Sequence, residues 1–565
     1  MLIQLFGLIY FFESFLTLAY YIFYYTVINK WNSITPASII ILVVLVILLL
    51  LFFMLSILIS DKRNYFEKIF SFIETKNLNI LIMLSLFVFS VLLLVIWVHG
   101  SNIEFSFWRR AANHKALLLL FIFFSIQGIV FIFVNKFRPH FLWEPGFILK
   151  HEFQLVAFVQ FGIVMTFFLP ILSLNKLPFN SDYLLNFDPW RQVYKIDGAL
   201  VNPVLSDSID HRLPTRFFFN NSIEKGEFPL WNNSISSGSP FAFLLFTNTF
   251  SLDNLAFMIG GNKYGSLLYF FAKLFLLGYF TYLFLRSKNV GIMPSILGII
   301  IASFSTYIIS YLGNHNADSV VYLPIILFLG NKYLQTNKKN YLPVLAFVIA
   351  LTIFTGFPAV IIYTLLFSTL YFVFEVLFFS SKELLIKEKF KKIFSIGFSF
   401  IIGILITSIC LIPTAEFFNQ IDLSYRIGRS DTILPQTASW RIFSNIIYGN
   451  PVSKNYYGPS NFNETGLYVG ILPFLLFPFA FRKKNRGLAL LFLSTSVFIY
   501  FTIFGVGNLH RFVGELPLFE LSSNTRMLAL LPFLMAIISA IGLDSFILLD
   551  KKQTKKDILF FIGFV

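Results

Sequence analysis

One feature limits this chain more than any other: apolar runs of about twenty residues recur along its whole length, separated by short polar breaks. A hydrocarbon core about 30 Å thick takes about 20 residues of helix to cross, and inside it every backbone donor and acceptor must be satisfied within the segment. Cutting the sequence at its polar breaks gives about fifteen spans, near 3–27, 37–59, 79–98, 116–134, 153–174, 266–285, 289–310, 317–333, 341–356, 358–379, 393–414, 466–481, 487–505 and 526–548, with a last one opening at 557. The expected fold is an all-α polytopic membrane protein of about 14–15 transmembrane helices.

Composition closes the other routes. Hydrophobic residues make up 57% of the chain and charged residues 13%, about half the charge a soluble chain carries. Disorder, collagen and disulfide scaffolds are excluded. The single Cys410, inside IIGILITSICLIP, rules out a thiolate metal cluster and reads as a small buried hydrophobe. The net charge of +15 does not point to nucleic acid, because Lys and Arg fall in short clusters between apolar runs rather than along one face.

Those clusters set the expected topology. From Arg286-Ser-Lys288 onward every second connection is basic: Lys332 to Lys339, Lys382 to Lys392, Arg482 to Arg486, and Lys551 to Lys556. By the positive-inside rule these face the cytoplasm. The outer connections are then those at about 175–265, 311–316, 415–465 and 506–525. The stretch SFWRRAANHK at 106–115 is basic yet falls outside on this count. The N-terminus lacks a basic n-region and a small-residue cleavage site, so it is expected to stay as an anchor. The C-terminal DILFFIGFV enters another span by about nine residues, the pattern of a fragment of a longer protein.

A membrane protein places its polar chemistry in loops or in rare intramembrane charges. The 175–265 loop is far longer than a connector and interleaves acids, bases and aromatics. Within it Asp207, Asp210 and His211 stand at i, i+3 and i+4, one face of a helix if SDSIDH is helical. Two carboxylates and an imidazole there can take a proton from a hydroxyl or hold a divalent cation. The competing reading is a solvated turn in which Ser206 or Asp207 caps a helix. Arg212 and Arg216 follow at i+4 spacing and suit a phosphate, or else pair within the loop. Trp231, in Gly226-Glu-Phe-Pro-Leu-Trp231, can stack a sugar or anchor the loop at the interface, while in Asp188-Pro-Trp190-Arg191 the Trp can mark the membrane surface and the Arg can bind lipid headgroups.

His315 and Asp318 sit in YLGNHNADSV with no second His at zinc spacing, so His315 reads as structural or as a substrate contact. The later outer connections carry Glu416, Tyr425, Arg426, Arg429 and Arg441, then His510, Arg511 and Glu515 ahead of Arg526. Arginines on the outer side need carboxylates or a ligand phosphate. Glu13, Lys273 and Glu375 read as isolated charges within or near spans, and Lys273 is near enough to an end to snorkel.

The phrases NPVLSDSIDHRLPTR, GEFPLWNNSISSGSPF, LPIILFLGNKYL, IPTAEFF, ETGLYVGILPFLLFPFAF and ELPLFELSSNTRMLALLPFLMAIISAIGLDSF, in that order, resemble the YfhO-type membrane proteins. These belong to the GT-C glycosyltransferases, which use polyprenyl-phosphate-linked sugars. The resemblance covers about 153–565 and implies a GT-C-like core there, with 1–152 as a four-helix extension of unknown role. It implies that the acid of the first long outer loop, here Asp207 with Asp210 beside it, acts at the reaction centre. It also departs from the family: the late Phe-Arg-x-Pro-x-Arg motif is here Leu521-Ser-Ser-Asn524-Thr-Arg526, which keeps only the last arginine.

The expectation is a cell-membrane transferase whose catalytic loops lie on the extracytoplasmic side. It moves a sugar from a polyprenyl-phosphate donor to a cell-surface polymer or lipid, with Asp207 as base and Asp210 beside it. His211, Arg212, Arg216, Trp231, His315 and Arg526 bind substrate. Membrane lipids are the surrounding partners; no cofactor is fixed by the sequence, and a divalent cation is the candidate. A transporter or flippase of lipid-linked sugars is the alternative, and it would call for repeated spans that the sequence does not display. A scaffold whose large loop binds a partner is a third reading.

Overall fold

The computed structural model describes residues 152–173, 179, 181–193, 206–235, 237–379, 385–426, 428–442, 458, 462–481, 485–517 and 519–548. The four N-terminal spans with Glu13, the 106–115 stretch, and the last span at 557 lie outside the described residues. The chain divides into two compact units, 1–151 with 172–174, and 152–171 with 175–565. The second unit holds the helical bundle.

This unit is built almost wholly of helices. In chain order the longer ones are α1 (Glu152–Ser173), α2 (Leu213–Glu224), α3 (Leu252–Ser287), α4 (Ile292–Phe304), α5 (Leu323–Thr336), α6 (Tyr341–Ile353), α7 (Pro358–Phe374), α8 (Ile386–Ile406), α9 (Ser408–Gln420), α10 (Ile471–Ala480), α11 (Arg486–Ile503) and α12 (Leu531–Ile547). The strands β1 (Trp231–Asn232) and β2 (Ser239–Pro240) form a small antiparallel hairpin. Six helical segments are long and apolar enough to cross a membrane: Glu152–Leu169, Tyr264–Ser287, Ile292–Ser310, Pro358–Phe379, Arg486–Ile503 and Asn524–Ile547. The pair α8 and α9, bent by 62° at Thr407, makes a seventh if taken as one span. This is a multi-pass helical membrane protein.

Every apolar run expected between 153 and 548 coincides with a helical segment, but three are shorter than a full span. Polar and backbone-breaking residues explain the shortening. Asp318, Ser319 and Pro324 turn the start of the 317–333 run into two 3-10 turns, so α5 begins only at Leu323. Gly470, at φ 100°, delays α10 to Ile471. Gly356 and Pro358 separate α6 from α7.

The described part of the long loop, from 206 on, is folded rather than a plain connector. It holds a helical turn at Ser208–Arg212, then α2, the hairpin and the first turns of α3. α3 starts at Leu252, well before the expected 266, because Ser251 caps it by accepting a hydrogen bond from the Asn254 amide at 3.3 Å. Gly261 (φ 62°, ψ −175°) kinks α3, a conformation that costs glycine little.

Lipid is as apolar as leucine, so close packing and polar pairs must hold spans together. α12 is buried over most of its length among α4, α10 and α11. At mid-depth Gln160 of α1 donates to the Leu274 carbonyl of α3 at 3.1 Å. Short connections make successive helices antiparallel, which gives the bundle two ends. At the basic end Arg286 pairs with Glu152 at 2.5 Å, Lys288 with Glu375 at 2.7 Å, and the Gly291 amide with Asp544 at 2.8 Å. Glu375 is therefore not an isolated charge. The long loop and the 311–322 connection meet at the opposite, loop end.

Candidate functional site

The Ser208–Arg212 turn is wound with five-residue hydrogen-bond spacing. It has two faces. Asp207, Asp210 and His211 are exposed, whereas Ser208 and Arg212 are buried. The three groups expected on one face thus share the outward one. Asp207 precedes the turn without accepting a side-chain cap bond, which removes capping as its role.

Beneath the turn lies a buried ion network. Arg212 Nε donates to Asp253 Oδ2 at 2.9 Å, Nη2 to Asp318 Oδ2 at 3.1 Å, and Nη1 to the Gly313 carbonyl at 2.9 Å. Arg216 Nε reaches the same Asp253 Oδ2 at 2.9 Å, and its Nη1 reaches the Thr247 carbonyl at 2.6 Å. Lys273, fully buried in α3, donates to Asp318 Oδ1 at 2.5 Å and to the carbonyls of Tyr311 and Leu312, each at 3.3 Å. The Tyr269 ring lies 5.0 Å from the Arg212 guanidinium.

This network revises two readings. Arg212 and Arg216 turn inward to Asp253 and Asp318 rather than toward a ligand beside Asp207 and Asp210. Lys273 is neither isolated nor snorkelling. Among the described residues the network sets three cations, Arg212, Arg216 and Lys273, against two carboxylates, Asp253 and Asp318, and so buries one surplus positive charge. Burial alone would push the Asp318 carboxyl up, but Arg212 and Lys273 outweigh it and hold the group well below the usual carboxylate range.

His315 borders the network. Its Nδ1 is 2.8 Å from Asn248 Nδ2 and 3.6 Å from Asp318 Oδ2, and its Nε2 is buried with no hydrogen-bond partner among the described residues. Asn248 has φ 55° and packs against Gly356, where a Cβ would collide with its amide oxygen. Burial, reinforced by Arg212, lowers the His315 pKa to about 4 against the opposing pull of Asp318, so the imidazole is neutral at pH 7. The His211 ring sits edge-on to it, 6.1 Å between centroids. Partial desolvation and the Arg216 charge also lower the His211 pKa, although the residue is exposed, while Asp207 opposes them.

Tyr307, Tyr311, Glu464, Thr525 and Arg526 come together around a gap too tight to admit a water molecule. Arg526 lies with its guanidinium 4.9 Å from the Phe357 ring centroid, and its Nε is buried with no hydrogen-bond partner among the described residues.

The structure thus brings His211, Arg212, Arg216 and His315 into one neighbourhood, with Asp207 and Asp210 on its outer turn. Trp231 is elsewhere in the contact pattern: it belongs to the hairpin, lies against Gly238 and is half exposed. Among the described residues no hydrogen bond or ion pair joins Trp231 or Arg526 to the network. Asp188 and Arg191 form an exposed pair at 3.3 Å. Cys410 is buried, as expected for a small hydrophobe.

Sequence reasoning missed Asp253 altogether and treated Asp318 only as a neighbour of His315. A signal existed, since a lysine inside a span requires a counter-ion and these two acids flank the same apolar runs. Among the described residues no group of three His, Cys, Asp or Glu side chains is arranged to hold a metal ion. No protein-family model matches the chain, and no match is found among curated proteins or solved structures.

Proposed function

We propose that the protein is a membrane glycosyltransferase of GT-C type that works at its loop end. It transfers a sugar from a polyprenyl-phosphate carrier to a hydroxyl of a cell-surface polymer or lipid on the extracytoplasmic side. One observation carries the reading: two exposed carboxylates and an imidazole stand on a turn directly above a buried network with a surplus positive charge. The resemblance of these loop phrases to the YfhO-type proteins supports the same assignment.

Displacing a lipid phosphate requires an activated hydroxyl on one side and neutralised charge on the leaving oxygen. Asp207, exposed and without a capping duty, takes the acceptor proton. His211, exposed on the same turn, hydrogen-bonds the acceptor hydroxyl. Arg212 and Arg216 act from behind, through the field of the surplus charge, and not by contact. Arg526 is the arginine that meets the donor phosphate.

The test uses the full chain in proteoliposomes supplied with polyprenyl-phosphate sugars carrying a radiolabel and with a crude cell-surface acceptor fraction. Label passing from the organic-soluble donor into the acceptor is the expected result. Donor that crosses the bilayer intact, with no label transferred, would make the protein a flippase instead.

A further inference from the structure

The first turns of α8 carry lysines on two faces, and the two faces treat them differently. Lys389 and Lys392 are half-buried on the inner face, where Lys389 Nζ donates to the Leu377 carbonyl at 3.0 Å and Lys392 Nζ to the Leu334 carbonyl at 3.1 Å. That face continues through the buried Ile396, Ser399 and Gly403, and Gly403 packs on Ile349 of α6 with no room for a Cβ. Lys387 and Lys391 lie on the opposite face and are exposed. Helical spacing sets them on one stripe with Phe390, Phe394, Phe398, Ile401 and Leu405, each at least 53% exposed.

This stripe is apolar along the helix and cationic only at its start. α8 with α9 forms a candidate span, so the exposed phenylalanines meet acyl chains. Side chains of a helix lean toward its N-terminus, which for α8 is the basic end. Lys387 and Lys391 therefore extend from the stripe to the headgroup level, with their stems against the same chains.

Charge decides which headgroup they meet. The Lys392 bond seats α8 on the last turn of α5, just ahead of Lys338 and Lys339, which are also exposed. Among the described residues the ion pairs of this end are Arg286 with Glu152 and Lys288 with Glu375, so Lys338, Lys339, Lys387 and Lys391 have no carboxylate partner. Glu388 is the acid in the first turn of α8. Four ammonium groups against one carboxylate suit an anionic phosphate, and a zwitterionic headgroup would add a further cation.

We propose that Lys387 and Lys391, supported by Lys338 and Lys339, bind the phosphate of an anionic phospholipid at the basic end. Its acyl chains lie along Phe390, Phe394 and Phe398. Lys389 and Lys392 serve the fold, and Lys387 and Lys391 serve the lipid. The site stands independently of the chemistry at the loop end.

The test is native mass spectrometry of the full chain in detergent, titrated with phosphatidylglycerol or phosphatidylcholine. Phosphatidylglycerol should bind at least about fivefold more tightly, and Lys387→Gln with Lys391→Gln should remove most of that margin at an unchanged unfolding temperature. Lys389→Gln with Lys392→Gln takes the same charge from the same helix and should do the reverse, keeping the preference and lowering the unfolding temperature. Equal affinity for the two lipids in wild type, an unchanged preference without Lys387 and Lys391, or an equal loss in the two double variants would each overturn the proposal. Glycerol 3-phosphate, a headgroup without chains, should not displace bound phosphatidylglycerol at equal concentration, and displacement would overturn the lipid assignment.

Discussion

At the basic end of the bundle charges meet in pairs, and at the loop end they meet as a group. Arg286 with Glu152, and Lys288 with Glu375, each join two helices and leave no surplus. Arg212, Arg216, Lys273, Asp253 and Asp318 instead join the long loop, α3 and the 311–322 connection in one network with an extra cation. Pairs at a membrane surface suffice to fix helices and orientation. A buried surplus charge adds nothing to stability that a neutral pair would not, and it lies beneath the exposed acids that the proposed function uses.

The largest expected effect is an all-or-none one. In a Cys410→Ser background, Ser234→Cys near the hairpin should react with a membrane-impermeant thiol reagent added to intact cells, and Lys338→Cys in the α5–α6 turn should react only after lysis. The reverse pattern would invert the two ends and remove the loop end from the extracytoplasmic side.

Next come the ion networks. Asp318→Asn leaves three buried cations facing one carboxylate and should cost about 3–5 kcal/mol of stability in detergent. Glu375→Gln at the basic end should cost less, roughly 1–3 kcal/mol, because the freed Lys288 lies near an end and can extend to water. Lys273→Met balances the loop-end network at two against two, so its cost should stay near 1–2 kcal/mol, from carbonyls left without a donor. Chemical denaturation of the three variants checks the order. Equal losses in Asp318→Asn and Lys273→Met would show that the surplus charge is not real.

A smaller effect reads the loop end alone, by pH. The folded-state pKa of His315 is about 4, below its ordinary 6.5, so the unfolded chain binds the proton more tightly. Stability from this group is fully present above about pH 6.5 and is lost as pH falls toward 4. His315→Gln should flatten the fall of unfolding temperature over that window. An identical slope in wild type and His315→Gln would place the titration elsewhere.

Much of the fold could be read in the sequence, because apolar length reports spans directly and each run between 153 and 548 became helical. Helix ends were less legible. The start of α3 depends on the Ser251 cap, and the late start of α5 on Asp318 and Pro324, both local features inside runs that hydropathy averages over. For the site, spacing placed Asp207, Asp210 and His211 on one outward face. It could not reveal that Arg212 and Arg216 turn to Asp253 and Asp318, since those partners are 41 and 106 residues from Arg212 in the chain. Nor could spacing show Tyr307 and Arg526 coming together.

The central claim is that Asp207 is a proton acceptor and not a structural residue of its turn. Because it caps nothing, Asp207→Asn should leave expression, unfolding temperature and donor binding intact. The rate of sugar transfer from a polyprenyl-phosphate donor in proteoliposomes should nevertheless fall about 100-fold or more, with Asp210→Asn falling less. Transfer by Asp207→Asn at a rate close to wild type, in protein shown to be folded and donor-bound, would contradict the account.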